Sequence, residues 1–569
     1  MPTQFKVVSG FGGGLNFSGH PAAMRDDEWS WCDGWSAQEG TAEAQLGYEA
    51  YQAIPVGVTA ITGPYCMGIV PDLWNQGFVQ VWGGGFAPNT IRMFSGTGTE
   101  ITQAAGVAGD TAGLGAGFVN TATNNDSDQV RVLTSGFFNG KMVFSLVTSF
   151  TSGSVKGLWQ WAGGATYQLI NGIPTAVLTT LTGETLLVFG NRLVLVSTSR
   201  TQAGMRTVRW SDAGTTDSWT PSSATTADVA ILSSAESYFT GAVTGINDNA
   251  LIFSRTGVYT MRVSGGIPVF TIQRSGGYGC QDTPWPTAAI LPNSGHQQQA
   301  IDTPAGPFWV GADDFYLSGQ GVGRSMWRFY RSRLPVFGGK TTKLALKLAW
   351  HPGRQQVMIP YQTVTSFAEP QVNFLCFNIV TKTWSRLGIP NIDRLVTHCV
   401  TTDLAQGLAS PTYAHVLLLD INGTGYTGQS FYRESINGDV NLSNINEIQT
   451  KDFAIGTPPI SIYVDRIKVD WEALPGMHAS VAQLRVEVLA RDELLIPPLV
   501  AIGSEGMETA NNVQPGLLPF TVVGTQSEPG ELPLRVRGKY VRFRFVAANL
   551  ARIRIRGFTF AYREAGTYR

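Results

Sequence analysis

Between about residue 56 and residue 455, apolar and polar positions alternate in short runs broken by Gly, Asn and Asp. Period two is the signature of half-buried strands, because successive side chains of a strand point to opposite faces. One unit recurs loosely: an apolar strand, a polar turn, then a strand bearing an aromatic. Leu251-Ile252-Phe253-Ser254-Arg255-Thr256-Gly257-Val258-Tyr259 is one copy, and Phe308-Trp309-Val310-Gly311-Ala312-Asp313-Asp314-Phe315-Tyr316 is another. Val188 to Val196, Phe374 to Trp384 and Leu417 to Tyr426 read the same way. The anchoring aromatics Tyr259, Tyr316, Trp384 and Tyr426 stand 57, 68 and 42 residues apart. Propeller blades recur at roughly 40–50 residues and accept loop insertions. No stretch carries a helical period over twelve residues, so nothing covers a flat sheet, and radial closure is the way to protect its edges. The pattern predicts an all-β chain built on a β-propeller, with a tandem of separate sandwiches as the alternative.

The ends differ. After Pro458-Pro459 the alternation sharpens, in Ile460 to Val464, Leu484 to Val488, Tyr540 to Phe545 and Arg552 to Phe558. This predicts a C-terminal antiparallel β-sandwich over 456–569. Residues 1–55 carry Gly12 to Gly14, the cluster Asp26-Asp27-Glu28, and Trp29, Trp31 and Trp35 within seven residues. They read as an extended N-terminal docking arm ahead of a propeller over 56–455. Removal of residues 1–35 is therefore expected to leave a folded propeller.

Composition supports the all-β reading. The 569 residues hold 66 Gly and 15 Trp, and only 14% are charged, against about 25% in ordinary globular chains. The net charge of −1 gives no global field toward nucleic acid or anionic membrane. The five cysteines are scattered, with no C-x-x-C pair, which suits assembly in a reducing cytoplasm. The start lacks a secretory h-region, and no run approaches a membrane span.

Candidate chemistry is sparse. The six histidines stand singly, without H-E-x-x-H, and no G-x-S-x-G elbow occurs. His398 and Cys399 are adjacent, but strand neighbours face opposite ways. Gly319-Gln320-Gly321-Val322-Gly323 reads as a blade turn rather than a phosphate loop, since no helix is expected after it. Asp420 to Gly425 has oxygen ligands at alternate positions but lacks the distal Glu of a calcium loop. Asp313-Asp314 is the acidic pair in a plausible loop, and a solvated turn accounts for it. No catalytic residue, metal site or cofactor is expected, and the chain is read as not an enzyme.

Arg209-Trp210-Ser211-Asp212 closing on Asp217-Ser218-Trp219-Thr220-Pro221 resembles the "strand, Ser-Asp, short loop, Trp-x-Pro" pattern of phage tail proteins. Gly276 to Cys280, Phe308 to Gly311 with Phe315-Tyr316, and Phe377-Asn378 closing on Trp384-Ser385 follow in the same order. Gly13-Gly14-Leu15-Asn16, Pro21 and Arg25 to Glu28 are similar to that family's N-terminal arm. The family is the tail nozzle, or tail hub, of short-tailed bacteriophages. The resemblance implies a structural virion protein located in the tail and assembled in the host cytoplasm. It implies a homo-oligomer, a hexamer, below a head-to-tail adaptor ring. Fibres or spikes would be neighbours, and double-stranded DNA would pass through without sequence-specific binding or membrane insertion. A conduit for duplex, which carries one charge per about 1.7 Å, needs a weakly charged lining. The rival is a tail-associated propeller that binds or cleaves host-surface glycans.

The candidate assembly residues are Trp29, Trp31 and Trp35 of the arm, and Arg552, Arg554 and Arg556 of the basic C-terminus. From Glu531 to Arg569 ten Lys or Arg face two Glu, a local charge of +8. Period two puts the three arginines on one face, with Ile553 and Ile555 on the other. A DNA grip and a solvated sheet face are open readings. The favoured one is contact with an acidic surface of a neighbouring subunit or tail protein, since Arg pairs bidentately with carboxylates.

Overall fold

A computed structural model describes residues 2–17, 21–45, 47–59, 65–74, 77–83, 91–103, 131–147, 158–170, 185–196, 206–232, 239–245, 248–254, 256–280, 299–333, 347–362, 372–389, 392, 394–403, 412–420, 429–435, 446–457, 459–474, 482–491, 520–526, 530–548 and 552–565. The chain is nearly all β, as the alternation implied. Five separate four-stranded sheets and one eight-stranded sheet, itself two four-stranded units joined edge to edge, make seven blades among the described residues.

The blades follow chain order. Their innermost strands are Tyr65–Pro71, Arg131–Phe138, Thr185–Phe189, Phe239–Thr244, Ala300–Thr303, Ala349–His351 and Arg394–Asp403. Each innermost strand packs on the next, and the seventh packs back on the first, so the ring is closed. The apolar clusters follow the same logic, one between each pair of neighbouring blades. Val81, Met93, Phe144 and Trp159 fill the gap between blades one and two. Cys66, Trp82, Val396 and Leu418 fill the gap between blades seven and one.

Closure relies on a strand from the chain's beginning. Tyr48–Gln52 adds to Gln429–Glu434 as the outermost strand of blade seven, in the register Glu49↔Arg433 and Tyr48↔Glu434. Blade seven thus joins strands almost four hundred residues apart, which no local repeat could reveal.

The C-terminal sandwich has two sheets. One holds Glu531–Gly538, Ile462–Ala473, Ile553–Glu564, Thr41–Ala44 and Trp35–Gln38, with Gln4–Ser9 added along Ile553–Glu564. The other holds Gly14–Leu15, Glu28–Asp33, Glu447–Thr450, Tyr540–Ala548, Gln483–Arg491 and Phe520–Gln526. The N-terminal segment is extended, as expected, but its strands are built into both sheets. The sandwich also begins earlier than residue 456, because Glu447–Thr450 pairs with Tyr540–Ala548. Its core continues into blades five and six through Phe308, Phe315, Tyr361 and Trp384.

One helix departs from the sequence reading. Arg324–Arg333 is a ten-residue helix that buries Met326, Phe329 and Tyr330, at helical spacing, into that shared core. The run is shorter than the twelve residues a periodic signal needs. The marker aromatics were unevenly spaced because Tyr259 and Tyr316 lie on third strands, whereas Trp384 lies on a fourth.

Candidate assembly interface

The tryptophans cannot dock a partner. Trp29, Trp31 and Trp35 are 0%, 1% and 0% exposed, which corrects the expectation of an aromatic docking arm. Glu28–Asp33 is an inner strand between Gly14–Leu15 and Glu447–Thr450, and Thr383–Ile389 of blade six packs against it. With both faces covered, every residue from Trp29 to Asp33 is buried. Phe11 packs edge-on against Phe545 and Phe558 and 6.1 Å from Trp29. The segment joins the two domains from within.

A buried ion pair fixes that joint. Asp33 Oδ2 lies 3.0 Å from Arg386 Nη1, and Asp33 Oδ1 accepts from the Gly388 amide at 2.6 Å. Arg386 also donates to the Tyr361 hydroxyl and to Asn373 Oδ1, with its guanidinium 4.5 Å from the centre of the Trp31 ring. Burying two charges is tolerable only with good geometry and further hydrogen bonds, and here each guanidinium nitrogen and both carboxylate oxygens have a partner.

Arg552, Arg554 and Arg556 do share a face, with Ile553 and Ile555 fully buried behind them. Their acidic partners belong to the same chain, which corrects the expectation of a neighbour's carboxylates. Arg552 pairs with Glu43; Arg554 bridges Glu43 and Glu472 at 3.2 Å each; Arg556 bonds Glu472 at 2.6 Å and reaches Asp470 at 3.5 Å. Arg542 and Arg544 are likewise held by Asp452, Glu447 and Glu487.

What stays open is the rest of that sheet's outer face. Leu534 and Val536 point inward from the edge strand Glu531–Gly538, while Arg535 and Arg537 point outward and exposed Lys539 follows. Among the described residues no ion pair holds Arg535, Arg537 or Lys539. Tyr463, 38% exposed, lies opposite Arg537 in register, and Phe5 and Val7 are 58% and 63% exposed at the other end of the face. Arg466 lies over the Phe5 ring at 5.9 Å and pairs with Glu531; Arg563 pairs with Asp465. Exposed Arg beside exposed aromatics is the composition of a protein interface. Asp465, Glu531 and Asp470 on this face are each paired with an arginine of the same chain. The period-two run Arg535-Val536-Arg537 was the sequence signal for it, hidden among ten basic residues.

The other candidates are structural. Asp313 accepts from the Tyr316 hydroxyl at 2.7 Å. Asp314 Oδ1 accepts from the amides of Phe315 and Gly323, and burial raises its pKa. The loop Gly319 to Gly323 is a turn of blade five, between Phe315–Leu317 and Gln320–Gly321, as read, but it also opens onto a helix, which the sequence did not lead one to expect. Asp314 occupies the place an anion would take, since a Cβ at Gly321 would stand 2.4 Å from its Oδ2. Asp212 Oδ1 accepts from Thr226 and Ala213, and Trp219 Nε1 donates to Thr216, so the Ser-Asp…Trp motif builds a blade-three loop. His398 and Cys399 face opposite ways, as expected: His398 bonds His415, whereas Cys399 enters the cluster between blades seven and one. The Asp420–Gly425 loop lies largely outside the described residues.

No protein-family model and no curated protein matches the chain. Among solved structures, it is similar to an exo-β-1,3-galactanase from Phanerochaete chrysosporium, with 11% identity, 91% of this chain and 100% of that one covered, and a TM-score of 0.24. A family 43 arabinoxylan arabinofuranohydrolase from Bacillus subtilis aligns at 9% identity over 95% and 98%, with a TM-score of 0.21. A fructofuranosidase from Schwanniomyces occidentalis aligns at 6% over 77% and 99%, with a TM-score of 0.20. These neighbours are glycoside hydrolases, which overturns the expectation that the chain is not an enzyme, and that expectation is withdrawn. At such TM-scores the likeness brings neither a substrate nor a site to this chain.

Proposed function

We propose that the chain is a structural subunit of a short-tailed phage tail, a nozzle or hub component in the virion. The outer face of the C-terminal sandwich would be its docking surface. The observation that carries this reading is the unpaired, period-two basic edge of Arg535, Arg537 and Lys539 beside exposed Tyr463, Phe5 and Val7. It supports contact with an acidic, partly apolar protein surface on a neighbouring subunit or tail protein. A closed ring welded to a second domain by a buried ion pair suits a shell that bears load during genome delivery. Hexamer formation, an adaptor ring as neighbour and passage of duplex DNA complete the proposal.

Gold labelling of a tagged chain in assembled particles tests it. Label at the distal end of a short tail is the expected result. Loss of label from particles made with Arg535→Glu and Arg537→Glu, with the chain still folded, is the second. Particles that form without the chain, or label that ignores both substitutions, would overturn the docking assignment. The second reading is a tail propeller that binds or cleaves glycans. The names of the structural neighbours supply its probes, β-1,3-galactan and arabinoxylan, in a binding and hydrolysis assay on the same preparation.

A further inference from the structure

Two histidines that stand alone in the sequence, His398 and His415, meet beside the strand that closes the ring. Tyr48 of the closing strand bonds His415 Nδ1 at 2.8 Å; His415 Nε2 meets His398 Nδ1 at 3.0 Å; His398 Nε2 meets the Lys347 carbonyl at 2.6 Å. The direction of the chain follows from its end. A carbonyl can only accept, so His398 Nε2 donates, and in a neutral ring Nδ1 then accepts. His415 Nε2 must donate to it, which leaves His415 Nδ1 to accept from the Tyr48 hydroxyl. Every bond is satisfied in one arrangement, with both imidazoles neutral.

A further proton has no place. On His398 it sits on Nδ1 and faces the N–H of His415. On His415 it sits on Nδ1 and faces Tyr48, whose hydroxyl hydrogen then loses its acceptor. The surroundings give no counter-charge. Lys347 and Arg354, both lowered by burial, offer no negative charge, and Glu434 is already bound by Arg354 and by His351 Nε2 at 3.2 Å. Cys376 and Cys399 are buried thiols, pushed up to about 12 by burial. Glu43 and Arg552 lie beyond Arg354, and the Phe374 ring packs edge-on against both imidazoles. Burial pushes His398 down to about 4 and His415 well below the usual histidine range.

We propose that protonation of the His398–His415 pair releases the closing strand Tyr48–Gln52 from blade seven, opening the ring at this one seam in acid. The strand sits at the rim of its blade. It is five residues long, it is bonded along one side only, and Tyr48 is the side chain it sinks into the cluster of blades six and seven. Outside that cluster Glu49 pairs with Arg433, and Tyr51 lies beneath the Arg433 guanidinium and against the Phe78 ring of blade one; Glu49, Tyr51 and Arg433 are all half-buried. Release leaves blades one to six and three strands of blade seven intact. The proposal is independent of the docking face.

Hydrogen exchange of the full chain from pH 8 to pH 4, corrected for intrinsic rate, tests it. Peptides covering 48–52 and 429–434 are expected to lose at least tenfold in protection below about pH 6, while 192–196 and 250–254 keep theirs. Tyr48→Phe, which leaves His415 Nδ1 without a donor, should move the midpoint up by about half a pH unit or more. His398→Gln, which can donate to Lys347 and accept from His415 at any pH, should flatten the profile. Protection lost from all blades together, lost first elsewhere, or independent of pH overturns the proposal. So does a midpoint that Tyr48→Phe leaves in place.

Discussion

Arg386 of blade six and Asp33 near the chain's start, 353 positions apart, form an ion pair at 3.0 Å with side chains 0% and 3% exposed. It couples propeller and sandwich, because Asp33 lies in a sandwich strand while Arg386 sits in a blade. Asp33→Ala removes one charge and strands the other, which costs about 3–5 kcal/mol in buried pairs. Urea unfolding should show that loss. Asp33→Ala with Arg386→Met should recover part of it, because no charge is then left unpaired. A double variant as unstable as the sum of the singles would show that the two residues are not coupled.

Deleting residues 1–35 should abolish soluble folding, the reverse of what an exposed arm would give. The deletion removes Gln4–Ser9, Gly14–Leu15 and Glu28–Asp33 from the two sandwich sheets and bares Phe545 and Phe558. Expression yield and size-exclusion elution of the truncated chain decide the matter. A soluble, monodisperse product would mean these strands are dispensable.

Alternation was most legible in the sandwich, where a strand has one face on the core and one on solvent, as Ile553 and Ile555 against Arg554 and Arg556 show; a blade strand such as Val372–Asn378 is buried on both faces, between neighbouring blades. The number of blades was not legible. Blade five has strands of two to five residues, and blade seven takes its fourth strand from Tyr48–Gln52. A tryptophan cluster also reads alike whether it is spent inside or offered outside. What decided burial was Thr383–Ile389 covering Glu28–Asp33, a contact between distant segments. The histidine relay was hidden for the same reason: its members come from three elements, and its direction depends on a backbone carbonyl.

Replacing Arg552, Arg554 and Arg556 with Gln should lower stability and leave docking intact. Arg556 is half exposed, and such pairs are worth about 0–1 kcal/mol. Glu43 is different, since its side chain is only 8% exposed and both Arg552 and Arg554 hold it. Stranding it costs about 1–3 kcal/mol, the usual cost of an unmade buried polar contact. Glu43→Gln added to the triple variant should restore part of the loss. Tail incorporation that disappears in the triple variant while its unfolding midpoint stays put would return these residues to the interface.

Stability of the whole chain should fall steeply in acid, and the sign rests on competing groups. His351, His398 and His415 are all lowered by burial, His351 to about 3 and His398 to about 4. A lowered histidine contributes stability that is complete above its unfolded value near 6.5 and is lost as pH falls toward its folded value. Between pH 6.5 and 4 the unfolded chain therefore binds up to three more protons at these sites. That is a slope of at most about 4 kcal/mol per pH unit. Asp302 acts against it. Burial pushes its carboxyl up to about 6, despite the Thr244 amide it accepts from, so the folded state takes up that proton first. Asp302, and Asp314 which burial also raises, offset part of the histidine slope, and the exposure of Asp302 weakens its share further. Acid loss should win. Urea midpoints at pH 8, 6 and 4.5 measure the slope; Asp302→Asn should steepen it, and His398→Gln should make it shallower. Equal slopes in the wild type and in His398→Gln would mean that the relay takes up no proton on unfolding, and the acid sensitivity would have to come from carboxylates.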